Sequence, residues 1–212
     1  MSKIKTVGII GTGVIGTGWI IRNLAHNKIV HAYDQNKNLK SYVLKEIKRT
    51  SKSIKKLFGK KILIKNLKFF NSLEKALVNV DFVQESVLEN YKVKTDLIHK
   101  ISKYVKSDII ISSSSSGLLP SKIFSKSENP QRGIIGHPFN PAYLLPAVEI
   151  VPGKKTTKKF LLDANKYYKS ISMKPIMLKK EIPGYLSDRL QEALWREGLH
   201  IINENYATTQ EL

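Results

Sequence analysis

The chain has 212 residues, 42% apolar and 25% charged, the mix of a globular protein with one large domain or one domain and a piece of another, which excludes disordered and collagen-like classes. No run is long and apolar enough for a membrane span, and zero cysteines rule out disulfides, thiolate metal sites and a cysteine nucleophile. Met1-Ser2-Lys3-Ile4 leads straight into a strand pattern and leaves no room for a signal peptide, so a cytoplasmic protein without a membrane partner is expected.

The net charge is +19, and two runs supply most of it. Lys45 to Lys68 holds nine Lys and one Arg against Glu46, and Pro152 to Lys180 holds nine Lys against Asp163. Val43, Ile47, Ile54 and Phe58 share one helical face with the lysines around them, the pattern of a solvated amphipathic helix. Lys outnumbers Arg 31 to 5, and Arg is the residue that phosphate and base recognition favour. No nucleic-acid partner is expected.

In chain order, Thr6 to Ile10 reads as a first strand and Val14 to His26 as the helix after it. Between them lies Gly11-Thr12-Gly13-Val14-Ile15-Gly16, a G-x-G-x-x-G in the strand-to-helix context of a dinucleotide fingerprint. Gly11 allows the tight turn, Gly13 lets a pyrophosphate approach the backbone, and Gly16 lets helix and strand pack closely. A second strand, Ile29 to Tyr33, ends on Asp34, placed to accept hydrogen bonds from an adenosine ribose and to repel a 2′-phosphate. NAD, rather than NADP, is the expected cofactor.

A helix over Leu39 to Phe58, a strand over Val80 to Val87, a helix over Tyr91 to Tyr104 and a strand over Asp108 to Ser112 follow. The serines Ser112 to Ser116 join that strand to Gly117-Leu118-Leu119-Pro120 too tightly for a linker and read as a strand end and a functional loop. Strands at Ile134-Ile135 and Val148 to Val151 and a helix over Thr156 to Ser170 complete an alternation that means an α/β fold, a Rossmann-type, mostly parallel sheet. His137, in Gly136-His137-Pro138-Phe139-Asn140-Pro141, follows one of these strands, and Glu149 lies within the next. Oxidising a secondary alcohol requires a base for the hydroxyl proton, and a carboxylate on the second ring nitrogen of a histidine fixes its tautomer.

At Ile182-Pro183-Gly184 the pattern changes. From Tyr185 to Asn203 apolar residues recur at helical spacing (Leu186, Leu190, Leu194, Leu199, Ile202), and Thr208 with Glu211 is a capping box. The division expected is a nucleotide domain over 1–181 and the first helix of a shortened all-α domain over 182–212.

Gln84-Glu85-Ser86-Val87-Leu88-Glu89-Asn90, the serine loop through Pro120, Gly136 to Asn140, and Leu144-Leu145-Pro146-Ala147-Val148-Glu149 resemble the 3-hydroxyacyl-CoA dehydrogenase superfamily. Tyr143-Leu144-Leu145-Pro146 and Leu190-Gln191-Glu192-Ala193-Leu194-Trp195-Arg196-Glu197 look most like its L-carnitine 3-dehydrogenase branch. The resemblance implies His137 as base, Glu149 as its partner, Ser116 as the hydroxyl that holds the reacting oxygen, and Glu89 and Lys94 on the nicotinamide side. Asp188 replaces the asparagine of acyl-CoA members, as carnitine-type members do, and an anion there suits a trimethylammonium substrate. Phe139, Tyr143 and Trp195 are the aromatic candidates for that cation. Bland alternatives remain for each: a strand-end cap for Ser116, a first-turn helix acid for Asp188, core packing for the aromatics. The resemblance thus implies a homodimer oxidising L-carnitine, with a hydroxyacyl-CoA as alternative substrate; the expectation for a chain that stops at a helix start is weak activity or none, and a catalytically inactive NAD-binding fragment, favoured by the capping box at Thr208, is the reading from another class.

Overall fold

A computed structural model of the chain describes residues 4–212; Met1 to Lys3, on which the expectation of no signal peptide rests, lie outside them. Eight strands form one sheet: β1 (Thr6–Ile10), β2 (Ile29–Tyr33), β3 (Leu67–Phe69), β4 (Phe82–Glu85), β5 (Ile110–Ser113), β6 (Gly133–Pro138), β7 (Ala147–Pro152) and β8 (Lys174–Met177). Their spatial order is β3-β2-β1-β4-β5-β6-β7-β8. All neighbours run parallel except β6 and β7. The helices are α1 (Val14–Ala25), α2 (Leu39–Phe58), α3 (Leu73–Leu77), α4 (Tyr91–Tyr104), α5 (Pro120–Ile123), α6 (Lys158–Ser170) and α7 (Ser187–Asn203).

Successive strand residues enter opposite cores. Ile9, Phe82, Ile110, Ile134 and Ile150 join Trp19, Leu24 and Tyr168 on the side of α1, α2 and α6. Ile10, Val83, Ile111, Ile135 and Val151 join Ile98, Ile101 and Ile123 on the side of α3, α4 and α5. Because both faces are covered, the central strands read as continuous apolar runs rather than alternating ones. Four short elements, β3, β8, α3 and α5, escape the sequence pattern. Both edge strands are brief, and β8 leaves Ile176 and Met177 exposed, so their apolar signal is weak.

Helix α2 buries Val43, Ile47 and Ile54, with Phe58 packed against the core, and its lysines are exposed. Helix α7 is different: none of its residues is buried, and Leu190 and Leu194 are 72% and 76% exposed. The Thr208 capping box does form, with Glu211 N donating to Thr208 Oγ1 at 3.3 Å and Thr208 N to Glu211 Oε2 at 2.9 Å.

Candidate active site

The turn between β1 and α1 has the shape its glycines require. Gly11 has φ +87°, and a Cβ there would lie 2.6 Å from the Ser86 carbonyl oxygen. A Cβ on Gly16 would strike the Gly11 carbonyl oxygen at 1.9 Å, whereas nothing lies within 4 Å of one on Gly13. Gly13 is the N-cap of α1 and no side chain caps it, so the first amides of the helix remain available to an anion. Asp34 Oδ2 accepts from Thr12 N at 2.6 Å, and Oδ1 accepts from Asn36 N at 2.9 Å. A groove of about 1010 Å³ runs past Gly11, Gly13, Asp34, Ser86 and Val87. These features fit a dinucleotide. Of the two residues between Gly13 and Gly16, Val14 is exposed and Ile15 packs on the core beneath α1.

The antiparallel pairing of β6 with β7 sets His137 directly opposite Glu149. Nδ1 of His137 lies 2.9 Å from Glu149 Oε2, with both side chains buried. Glu149 also accepts from Leu186 N (2.9 Å) and Ser187 N (3.1 Å) at Oε1 and from Ser187 Oγ (2.6 Å) at Oε2. Burial alone would raise its carboxyl. The hydrogen bonds from His137, Ser187 and the two amides outweigh burial and hold it below the ordinary glutamate value. An ionised carboxylate only accepts, so Nδ1 carries a proton, and in the neutral ring Nε2 is the free acceptor. The rings of Tyr185 and Phe139 lie 5.5 and 6.1 Å from the imidazole. Tyr185, fully buried, was not singled out by the sequence; its hydroxyl donates to the Leu118 carbonyl at 2.8 Å, and burial pushes its phenol well up.

The serine loop is held from beneath by carboxylates. Glu89 Oε1 accepts from Ser115 Oγ (2.5 Å), Ser116 N (2.9 Å) and Gly117 N (3.2 Å). Burial would raise Glu89, but Ser115, Lys94 and those amides bring it below its ordinary value. No hydrogen bond engages the exposed Ser116 hydroxyl among the described residues. Lys94 does not face the groove: it is buried and donates to Glu85 Oε1 (2.8 Å) and the Val87 carbonyl (3.0 Å), with Glu89 Oε2 at 3.4 Å. Glu85, another residue not singled out, also accepts from Ser113 Oγ at 2.5 Å and Val87 N at 2.6 Å. Its signal was available in β4, an interior strand that ends on the polar pair Gln84-Glu85.

The 3-hydroxyacyl-CoA dehydrogenase NAD-binding domain matches residues 6–182. This chain belongs to the 3-hydroxyacyl-CoA dehydrogenase family. Its domain is the NAD-binding domain of an NAD-dependent dehydrogenase acting on a CH–OH group. The L-carnitine dehydrogenase of Oceanobacillus iheyensis is 44% identical over 209 residues, covering 98% of this chain and 68% of that protein. That of Pseudomonas putida is 43% identical, covering 100% of this chain and 66% of its own length. The chain thus spans about two thirds of these relatives. Among solved structures, a diketoreductase superposes with a TM-score of 0.92 at 24% identity (100% of this chain, 77% of that one). The 3-hydroxybutyryl-CoA dehydrogenase of Escherichia coli K12 gives 0.89 at 23% (97% and 44%). At those identities the two structures show the fold.

The remaining candidates of this family member scatter. Tyr143 packs against the core toward α2 and its hydroxyl accepts from Arg49 at 3.2 Å, away from the imidazole. Asp188 and Trp195 line one groove of about 930 Å³ along α7, together with Leu194 and Leu199. Trp195 is 64% exposed there, so core packing within the described residues is not its role.

Proposed function

We propose that the chain oxidises the 3-hydroxyl of L-carnitine to 3-dehydrocarnitine, with residues 1–181 as the cofactor domain and 182–212 as the first helix of a helical domain. The observation that carries this is the buried His137–Glu149 pair, 2.9 Å apart, in a member of a family whose 44% identical relative is an L-carnitine dehydrogenase. NAD, when bound, supplies the acceptor for the hydride. Nε2 of His137 takes the hydroxyl proton, and Glu149 stabilises the imidazolium that forms and keeps the ring oriented. The Ser116 hydroxyl holds the reacting oxygen, on a loop whose amides Glu89 fixes. Asp188 with Trp195 offers a carboxylate and an aromatic face to the trimethylammonium group, with Phe139 beside the base. Self-association through the exposed stripe of α7 belongs to the same reading.

The runner-up substrate, a hydroxyacyl-CoA, is favoured by the exposed lysines of Lys45 to Lys68, which suit CoA phosphates. A binding-only role is favoured by the open groove along α7, whose side chains no neighbouring element covers. NADH formation with L-carnitine, with a hydroxyacyl-CoA, and with neither separates the three. Turnover of carnitine is the expected result, and NAD binding without turnover of either alcohol overturns it.

A further inference from the structure

The base is oriented by Glu149, but Glu149 is itself oriented from another element. Its carboxylate has about four acceptor positions, and four donors meet it. Two are backbone amides on Oε1, from Leu186 and Ser187, which no side-chain change removes. The other two are side chains on one oxygen: His137 Nδ1 at 2.9 Å and Ser187 Oγ at 2.6 Å, both on Oε2. Ser187 opens α7, 38 residues beyond Glu149 in sequence, and reaches the pair because the chain reverses at Gly184 and Tyr185, both at positive φ.

We propose that Ser187 is a positioning residue of the His137–Glu149 pair, its hydroxyl fixing Oε2 opposite Nδ1 and dividing that oxygen's charge with the imidazole. The inference rests on the reading of His137 as base and Glu149 as partner. Two donors on one anionic oxygen share its charge, so removing one strengthens the bond to the other. Among the described residues the other carboxylate near the hydroxyl is Asp188, whose Oδ1 lies at 3.5 Å, too long to draw the hydroxyl away.

The test compares the full chain with Ser187→Ala and Ser187→Thr, labelled with ¹⁵N at histidine. The buried Nδ1–H proton of His137 reports the strength of its bond to Oε2. In Ser187→Ala this resonance is expected downfield of the parent, and in Ser187→Thr, which keeps the hydroxyl, at the parent position. With NAD saturating, kcat for L-carnitine changes in the alanine variant more than KM does, and threonine restores it. An unmoved resonance in Ser187→Ala, or threonine behaving like alanine, overturns the inference. A shifted resonance in a chain that does not oxidise carnitine keeps it and removes the substrate reading instead, and turnover without any shift does the reverse.

Discussion

Asp34 Oδ2 lies 2.6 Å from the backbone nitrogen of Thr12, so the acid that follows β2 holds the glycine turn between β1 and α1. In the proposed function the same carboxylate also meets the ribose, and both roles are tested together. Asp34→Ala is expected to weaken NAD binding at least tenfold, to lessen discrimination against NADP, and to cost about 1–3 kcal/mol of stability through the unpaired Thr12 amide. Fluorescence titration with both cofactors and urea unfolding check the two effects. An Asp34→Ala protein that is as stable as the parent would show that the turn holds itself.

Acid should unfold the protein partly through Glu149. Its carboxyl ionises more readily folded than unfolded, so its contribution to stability is complete above the ordinary value of 4.5 and is lost as pH falls through the lower folded value. Glu149→Gln is expected to be less stable at neutral pH and to show a flatter decline on acidification. Urea midpoints measured from roughly pH 7 to pH 3 provide the comparison.

Lys94 on α4 pairs with Glu85 at the end of β4 and with Glu89 in the loop that follows, and both it and Glu85 are buried. Lys94→Met leaves the Glu85 charge without its partner and is expected to cost about 3–5 kcal/mol. The double variant Lys94→Met with Glu85→Gln should recover part of that loss, because no uncompensated charge remains. Equal stability of the single and double variants would refute the coupling.

Arg22 is fully buried, and the partners of its guanidinium are backbone carbonyls. It donates to Ala142 at 2.6 Å and Leu145 at 3.0 Å in the loop between β6 and β7, and to Ile171 and Ser172 at 3.2 Å. Burial lowers it to about 10. Arg22→Met should speed amide exchange at Leu144 and Leu145 while Ile135 and Val151 in the adjacent strands keep their protection, a contrast that exchange mass spectrometry resolves.

The stripe on α7 gives the opposite expectation. Leu190→Glu with Leu194→Glu should leave stability of the isolated chain within about 0.5 kcal/mol, since neither side chain is buried. If sedimentation then shows loss of self-association, the stripe is the contact surface.

What the sequence made legible follows from how local each requirement is. Gly11, Gly13, Gly16 and Asp34 answer needs set within one strand-helix-strand unit, so their spacing alone reveals them. His137 and Glu149 were legible because neighbouring strands bring such residues face to face. Ser187 and Tyr185 were not, since only the reversal at Gly184 carries Ser187 back to Glu149 on β7, 38 residues away, and the Tyr185 ring to His137 on β6, contacts that no periodicity encodes. Lys94 was legible as a residue but not in its role: its helix turns it inward to Glu85. Trp195 and Asp188 fell on one groove as the helical spacing allows, while Tyr143 turned toward Arg49 because the loop after β6 folds against α1 and α2.

The direct opposition of His137 and Glu149 across β6 and β7 has a consequence for how this family can vary. Side chains alternate across a sheet with a period of two, so slipping β7 by a single residue would carry the carboxylate to the other face and leave the imidazole facing an apolar neighbour. Insertions between Phe139 and Pro146 leave the ladder untouched, and where they spare the Ala142 and Leu145 carbonyls that Arg22 holds they add only loop-closure entropy, which grows slowly with length. The interval of 12 residues between histidine and glutamate can therefore lengthen only at places that keep those two carbonyls in reach of Arg22, whereas one residue added inside either strand would separate the pair.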